Sequence, residues 1–379
     1  TVLTTARKAF EAAEANGYQI AALGVTNQRE TTLVWERESG RPIHNAIVWQ
    51  DRRTAGRCAR LKAAGAETEI AERAGLVLDP YFSATKLAWI LDEAPGARAG
   101  AEAGKLAFGT VDSFLLHRLT GGALHAVEAT NASRTSLNNL HTGDWDEDLL
   151  NLFGIPPAVL PEIVDSAGRY GETVKSIFGR PIAITGAAGD QQAAAIGQAC
   201  LSPGEMKSTY GTGAFMLVHT GDAVVTSQNR LLATTAWRLN GTSRYALEGS
   251  VLSAGATIHW LRDGLGLIAR AGEIEALAGD ADPDSEVYLV PAFSGLGAPH
   301  WNPDARAALI GLTRGSGRAE IARAALDSTA YQTRDLLTAM AADGVSVQAL
   351  KVDGGMAVND ALVQRLADLC AVETVRPEN

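Results

Sequence analysis

The stretch that most constrains this chain is residues 184–198, which read ITGAAGDQQAAAIGQ. The apolar run at 181–184 predicts a buried strand, and Gly186 and Gly189 loosen the backbone before an alanine-rich helix begins at Asp190. A carboxylate at a helix N-terminus lies in a field that favours its charged form. Open α/β sheets bind ligands at such strand ends. Two interpretations of Asp190 stay open on this stretch alone: it caps its helix, or it has a chemical role.

Length and composition narrow the class of protein. The 379 residues, 46% of them hydrophobic, suffice for two or three domains with their own cores. The formal net charge of −10 argues against nucleic acid and anionic membranes as partners. Cys58, Cys200 and Cys370 form no CxxC motif, which predicts a reducing, cytoplasmic location without disulfides or a zinc site. No apolar run approaches the roughly 18 residues of a membrane span.

Strand and helix patterns alternate in two halves. The first half predicts a helix at 4–16 and strands at 20–25, 31–36 and 46–50. After a linker at 202–204, the pattern restarts with a strand, a Gly-Thr-Gly turn and a second strand, and it later predicts a long helix over 318–342. We therefore expect an α/β protein with domains at 1–201 and 202–379.

Two groups of residues in the first half could bind a small polyol. Arg29 and Glu30 follow a strand, where a donor-only and an acceptor-only side chain can hold hydroxyls from two sides. A solvated salt bridge is the alternative. Trp49, Tyr81 and Phe82 could cover a carbon backbone, or they could be ordinary core residues.

Glycines in the second half favour a bound nucleotide. Gly211, Thr212 and Gly213 form a tight turn whose N–H groups can hold phosphate. Gly255 and the pair at 354–355 add two further places where a ligand can approach the backbone closely. One Gly-Thr-Gly turn is weak support, whereas three such places in one half are suggestive.

The chain resembles the FGGY family of carbohydrate kinases, and within it the glycerol kinases. The motifs that carry this resemblance span nearly the whole sequence: GVTNQRETTLVWE, LDPYFSATK, TNASRTSLNNLHTGDWD, GAAGDQQAA, TYGTGAFMLVHTG and VDGGMAVND. The resemblance implies two actin-like (ribonuclease H-like) domains that flank an interdomain cleft. It also implies glycerol binding by the N-terminal domain, 1–201, and nucleotide binding by the C-terminal domain, 202–379. The NQRET and DPYFS motifs point to glycerol rather than to a sugar.

The resemblance assigns the site residues one by one. Asp190 takes the place of the general base, and Mg²⁺ would bind there directly or through water. The implied glycerol contacts are Arg29, Glu30, Trp49, Tyr81, Gln191 and Phe215. The implied nucleotide contacts are Gly211, Thr212, Gly255, His259, Gly355 and Asn359. His259 departs from the family, which commonly has glutamine there.

The implied reaction is transfer of the γ-phosphoryl group of Mg-ATP to glycerol, which gives sn-glycerol 3-phosphate, by a cytoplasmic homodimer or homotetramer. A kinase for another polyol or sugar and a non-catalytic ATP-binding protein are the alternatives. The VKSIFGRP segment lacks the glycines with which some bacterial members bind fructose 1,6-bisphosphate. The family's first phosphate hairpin would precede Thr1, and further elements would follow Asn379. We therefore expect the complete protein to extend beyond both ends.

Overall fold

The computed structural model describes residues 2–378. Thr1 and Asn379, on which the expectations about the chain ends rest, lie outside that range. The chain forms two compact units. Unit 1 runs to Ala193 and includes Thr234–Arg244, and unit 2 comprises Ala194–Ala233 and the chain from Tyr245 onward. Within residues 2–378, no helix combines the length and the apolar character that crossing a membrane requires.

Unit 1 mixes short strands with ten α-helices among its described residues, and the last of these helices continues into unit 2. Its strands are β1 (Ala22–Asn27), β2 (Leu33–Glu36), β3 (Leu106–Gly109), β4 (Ala126–Glu128), β5 (Asn138–Asn139), β6 (Asp144–Trp145), β7 (Glu162–Val164), β8 (Ala167–Glu172) and β9 (Ala183–Gly189). Its helices are α1 (Val2–Ala15), α2 (Ala55–Ala63), α3 (Glu67–Ala74), α4 (Ser83–Glu93), α5 (Ala97–Glu102), α6 (Val111–Leu119), α7 (Ala129–Ala132), α8 (Glu147–Phe153), α9 (Lys175–Phe178) and α10 (Asp190–Gly197).

Strand β9 is the centre of a three-stranded sheet in unit 1. It pairs in parallel with β1 and antiparallel with β8. Ile184 and Ala187 are buried among Leu116, Phe178 and Ile182, which anchors the strand to the helices that cover it. Gly186 and Gly189 lie inside the strand, and the helix begins directly at the end of the strand.

The strand predicted at 46–50 is wrong. Only Ile47 pairs, exchanging two backbone hydrogen bonds of 2.9 and 3.0 Å with Thr32, and the chain then turns between Val48 and Asp51. Val48 is 41% exposed, so this β-branched residue lacks the neighbouring strand against which it would pack in a sheet. Strand propensity depends on such packing, and it is overridden where the packing is absent.

Unit 2 is built on a mixed six-stranded sheet. Its elements are β10 (Glu205–Tyr210), β11 (Ala214–Gly221), β12 (Leu232–Leu239), β13 (Thr242–Val251), α11 (Gly255–His259), α12 (Ile274–Gly279), β14 (Tyr288–Val290), β15 (Ala308–Ile310), α13 (Arg318–Ala342), β16 (Ala349–Asp353), α14 (Asp360–Cys370) and β17 (Glu373–Val375). The strand order is β12-β13-β11-β10-β16-β17. Thr234–Arg244, which is most of β12 and the start of β13, belongs to unit 1.

The long helix predicted over 318–342 is confirmed with the same bounds. Helix α13 buries a row of small and apolar residues that includes Ala325, Leu336 and Met340, and it packs against α12 and α14. Gly249 lies under this helix, where an added Cβ would come within 2.7 Å of the Leu336 side chain. The sheet of unit 2 is therefore packed closely against α13.

Candidate active site

The first site is built where β1 and β9 end side by side. Their parallel pairing places Asn27 opposite Gly189, so the segments that follow both strands start at the same edge of the sheet. One carries Arg29 and Glu30, and the other carries Asp190. Gly189 has no room for a side chain, because a Cβ there would lie 2.6 Å from Cγ of Arg29. The arginine side chain crosses the strand end over Gly189, and only glycine leaves room for it there.

Arg29 and Glu30 are buried, not solvated. Their side chains are 2% and 3% exposed, which rules out the surface salt bridge that the sequence left open. Nε of Arg29 lies 3.6 Å from Oε1 of Glu30 and 3.6 Å from Oδ1 of Asp190. Glu30 has a closer partner in Arg134, whose Nε donates to the same Oε1 at 2.8 Å. Buried charges of this kind persist only when they are paired and hydrogen-bonded.

Arg134 also joins the aromatic residues to this charge cluster. Its guanidinium lies 5.8 Å from the ring of Tyr81 and 5.3 Å from the ring of Phe82. Tyr81 in turn meets Trp49 edge to face, with ring centroids 5.6 Å apart. We call Arg29, Glu30, Trp49, Tyr81, Arg134 and Asp190 the Arg29 cluster. Core packing and a ligand-covering role are both compatible with this arrangement, since Tyr81 is nearly buried while Trp49 is half-buried.

A buried lysine bonds to the backbone of Tyr81. Lys86 is fully buried in α4, and its Nζ donates to the Tyr81 carbonyl oxygen at 2.7 Å. Burial lowers the pKa of Lys86 to about 8, against the attraction of Glu30, Asp51 and Asp79. This lysine fixes the backbone that carries the tyrosine ring.

Asp190 is the accessible charge of the cluster. Its side chain is 44% exposed at the first turn of α10, and its Oδ1 accepts the N–H of Gln191 at 2.8 Å. This bond joins Asp190 to the next residue in sequence, whereas a helix cap accepts from the N–H two or three residues further on. The capping interpretation and the chemical one therefore both stay predictions. Gln192 is fully buried behind it, where its Oε1 accepts from Arg29 Nη1 at 3.4 Å and its Nε2 donates to Thr235 O at 3.1 Å.

The second site lies in unit 2, at one end of the sheet. Parallel strands β10 and β16 pair Thr209 with Asp353, so the Gly-Thr-Gly turn and the 354–355 pair meet there. Three glycines are needed for the fold itself. A Cβ at Gly213 would lie 2.4 Å from Val251 O, at Gly255 2.6 Å from Gly211 O, and at Gly354 2.5 Å from Tyr210 O.

Gly211 and Gly355 differ from those three. A Cβ at Gly211 would meet nothing nearer than 3.9 Å, a Cβ at Gly355 would meet nothing within 4 Å, and neither residue has a positive φ. Among residues 2–378, no contact of an added Cβ accounts for glycine at these two positions. Each leaves open space directly above the backbone, as a ligand that packs against the main chain requires.

The other predicted nucleotide residues lie in the turn itself or on the helices α11 and α14. The Thr212 carbonyl oxygen accepts from Ala254 N at 2.9 Å and thereby ties the turn to the start of α11. His259 is exposed near the end of α11. Asn359 caps α14, because its Oδ1 accepts from Leu362 N at 2.7 Å.

Phe215 also belongs to unit 2, whereas the other predicted glycerol contacts belong to unit 1. It is half-buried in β11, and its carbonyl oxygen accepts from Nζ of the buried Lys207 at 3.3 Å. The fold thus holds the backbone of Phe215 firmly beside the Gly-Thr-Gly turn.

A Mg²⁺ ion bound through substrate phosphates is compatible with the donor set of unit 1. Within residues 2–378, no group of three His, Cys, Asp or Glu side chains is arranged to hold a metal. Mg²⁺ commonly keeps several waters and binds through one or two carboxylates together with substrate phosphates. The half-exposed carboxylate of Asp190 fits that pattern.

Sequence reasoning missed Arg134, Lys86 and Gln192. Each is fully buried and each contacts a predicted site residue. Arg134 follows a run of small residues in TNASRT, and Lys86 lies among apolar residues in SATKLAW. For Arg134 and Lys86 the available signal was a charged residue within a run of small or apolar residues, because charged residues are fully buried almost only when they are paired. Gln192 carried no such signal.

Family models match most of the chain. The N-terminal domain of the FGGY family of carbohydrate kinases matches residues 1–197, and the C-terminal domain of that family matches residues 206–379. A glycerol kinase of Rhodospirillum centenum is 60% identical over 377 residues, which cover 100% of this chain and 76% of that relative. A glycerol kinase of Methylobacterium nodulans is 60% identical over 382 residues with the same coverage.

Solved structures give the same fold. The glycerol kinase of Plasmodium falciparum with ADP is 34% identical, with a TM-score of 0.93 over 100% of this chain and 76% of that one. A ligand-bound xylulose kinase of Lactobacillus acidophilus has a TM-score of 0.87 at 22% identity, over 98% of this chain and 74% of that one. The predicted α/β class with two actin-like domains is confirmed.

Proposed function

This chain belongs to the FGGY family of carbohydrate kinases, and we propose that it phosphorylates glycerol with ATP to give sn-glycerol 3-phosphate. The observation that carries the proposal is the Arg29 cluster, in which buried charges converge beside one half-exposed carboxylate. Relatives about 60% identical along the whole chain are glycerol kinases, which favours glycerol over a sugar.

The chemistry of the cluster suits a small, uncharged polyol. Arg29 offers N–H donors, and Glu30 accepts from hydroxyl groups, so neighbouring hydroxyls can be held from two sides. Arg134 balances the charge of Glu30, which leaves the set without a strong preference for an ionic ligand. Trp49 and Tyr81 offer apolar ring surface for the carbon chain.

The nucleotide would bind at the glycines of unit 2. The open space above Gly211 and Gly355 admits a ligand against the main chain, and turn N–H groups can hold phosphate oxygens. The related Plasmodium falciparum glycerol kinase was solved with ADP. Thr212, His259 and Asn359 would line this region, and Asn359 would do so while its Oδ1 caps α14.

Asp190 would act as the general base. Its carboxylate would accept the proton of a terminal glycerol hydroxyl as that oxygen bonds to the γ-phosphorus of ATP. The bond from the γ-phosphorus to the β–γ bridging oxygen breaks, and ADP leaves. A general base contributes about 10²–10⁴-fold, and most of the remaining rate comes from positioning and charge stabilisation. Nε of Arg29 lies 3.6 Å from Oδ1 of Asp190 and would help to hold the carboxylate in place.

Mg²⁺ would supply neutralisation of the phosphate charge when it is bound with the nucleotide. Asp190 would hold it directly or through water. The proton transfer and the orientation of glycerol are the work of the chain's own residues.

The test is a coupled assay for ADP release with glycerol, with xylulose and without an acceptor. We expect ADP release that depends on glycerol. Asp190→Asn should lower kcat by at least about 100-fold while glycerol binding is largely retained. Asp148→Asn is the matched control, because Asp148 is also an exposed carboxylate in the first turn of a helix.

Faster ADP release with xylulose would assign a sugar kinase. ATP binding without any acceptor-dependent ADP release would indicate a non-catalytic ATP-binding protein. An Asp190→Asn variant that keeps more than a tenth of the original kcat would contradict the general-base assignment.

A further inference from the structure

The segment 128–134, which contains α7, buries every polar side chain that it carries. Glu128, Thr130, Asn131 and Arg134 are 0% exposed, and Ser133 is 1% exposed. Polar groups buried to this extent need hydrogen-bond partners. Arg134 has one in Glu30, as described above. The bonds of Thr130 and Asn131 lead to Gly189 and Asn27, the two strand ends beside the Arg29 cluster.

Glu128 collects hydrogen bonds at the start of α7. Its Oε2 accepts from Thr130 Oγ1 at 2.5 Å and from Asn131 N at 3.3 Å, while its Oε1 accepts from Ser166 Oγ. Burial raises the pKa of Glu128 to about 7, and the hydrogen bonds from Ser166 and Thr130 oppose that shift. The hydrogen bonds of Thr130, Asn131 and Ser166 all end on the two oxygen atoms of Glu128, which ties these residues together at the start of α7.

Thr130 links Glu128 to the end of β9, which Asp190 directly follows. A threonine hydroxyl has one hydrogen to donate, and Thr130 donates it to Glu128. The same oxygen accepts the N–H of Gly189 at 2.8 Å. The bond to Glu128 therefore orients the hydroxyl. Its oxygen is then free to accept from Gly189, the residue that directly precedes Asp190.

A second arm reaches the neighbouring strand. Asn131 Oδ1 accepts from Asn27 Nδ2 at 2.9 Å, and Asn27 lies opposite Gly189 in the β1–β9 pairing. Both strand ends that lead into the Arg29 cluster are thus tied to the same short helix. Gly189 has no side chain that could hold it in place. The hydrogen bond from its N–H to Thr130 Oγ1 therefore fixes the end of β9.

We propose that Thr130, oriented by Glu128, is a positioning residue that holds Asp190 in line for proton transfer. This inference rests on the proposed function. Thr130 acts through Gly189 and touches no reacting atom. Its loss should therefore lower kcat more than it changes the KM for glycerol or ATP, because small misplacements of reacting groups cost up to about 100-fold in rate.

The experiment compares three variants of the full chain. Thr130→Val keeps the side-chain shape and removes both hydrogen bonds, whereas Thr130→Ser keeps the hydroxyl. Thr120→Val is the matched control, because Thr120 is also buried and its Oγ1 donates to Leu116 O and accepts from Leu124 N. That position is outside the Arg29 cluster, so its variant separates general destabilisation from misplacement of Asp190.

We expect Thr130→Val to lower kcat about 10- to 100-fold with an unchanged KM for ATP. Thr130→Ser should restore kcat, and Thr120→Val should keep it despite a similar loss of stability. Amide hydrogen exchange at Gly189 should accelerate in Thr130→Val alone, a readout that does not require activity.

A full kcat in Thr130→Val, or an equal loss of kcat in Thr120→Val, would overturn the inference while leaving glycerol kinase activity intact. An unaltered protein that does not phosphorylate glycerol would overturn the proposed function first. In that case the exchange rate of Gly189 still shows whether Thr130 anchors the strand.

Discussion

Arg134 is the residue whose replacement tests the site most directly. It is fully buried, it forms the shortest ion pair found for Glu30 in the described chain, and it lies over two aromatic rings. In Arg134→Met, an unbranched side chain of similar length would fill much of the space beside the rings while removing the charge. Glu30 would then keep Arg29 as its cation, at 3.6 Å.

The magnitude follows from burial and distance. Removing one partner of a buried ion pair costs about 3–5 kcal/mol, and the remaining contact of Glu30 with Arg29 favours the lower end of that range. A loss of about 3 kcal/mol in a unit of this size corresponds to a fall of roughly 6–12 °C in the melting temperature. Glu30 would also lose the arginine that orients it. A glycerol hydroxyl bound to a poorly oriented Glu30 should bind about 1.5–3 kcal/mol more weakly.

Two measurements check this prediction. Thermal unfolding followed by circular dichroism gives the stability, and the coupled assay gives the KM values for glycerol and ATP. We expect the glycerol KM to rise about 10- to 150-fold, the equivalent of 1.5–3 kcal/mol, and the ATP KM to stay unchanged. Arg37→Met is the matched control, since Arg37 is a partly buried arginine that bonds to His125 and to backbone carbonyl groups instead of the Arg29 cluster.

The reasoning is refuted if Arg134→Met unfolds at the same temperature as the Arg37→Met control and binds glycerol as well as the unaltered protein. Equal rises in the KM values for glycerol and ATP would show instead that Arg134 serves the whole unit rather than the polyol contact.

Three further predictions use the same assays. Arg29→Ala should raise the KM for glycerol much more than the KM for ATP, by the equivalent of about 1.5–3 kcal/mol, and equal changes would contradict a polyol contact. Gly355→Ala should leave stability intact but raise the ATP KM, whereas Gly255→Ala should destabilise unit 2 because its Cβ would lie 2.6 Å from a carbonyl oxygen; the opposite ranking would refute our view of the open glycines. Burial lowers the pKa of Lys86 to about 8 from its ordinary value of 10.5, so between these pH values the unfolded chain binds more protons than the folded one. The free energy of unfolding of the unaltered protein, relative to that of Lys86→Met, should therefore rise with pH across that window. Urea unfolding measures it, and a fall would show that the folded protein favours the charged form of Lys86.

Local sequence predicted the elements that local chemistry controls. The helix at 318–342 has a regular row of small and apolar residues, and the Gly-Thr-Gly hairpin has its turn residues between two strand-forming segments. The 46–50 strand failed because strand formation depends on neighbours that come from elsewhere in the chain. Asp190 was placed correctly at a helix start, since the glycines and alanines around it are themselves local signals.

The sequence alone determined the α/β class, the position of Asp190 after a buried strand, and the acidic and basic residue types that could hold a polyol. Tertiary structure decided which charges are paired. Arg134 lies 104 residues from Glu30 along the chain, and the parallel register of β1 with β9 brings Arg29 to Asp190 across 161 positions. Burial sets the strength of such contacts, and burial is a property of the packed chain: the same Arg-Glu pair is a weak ion pair in water and a fixed binding element once water is removed.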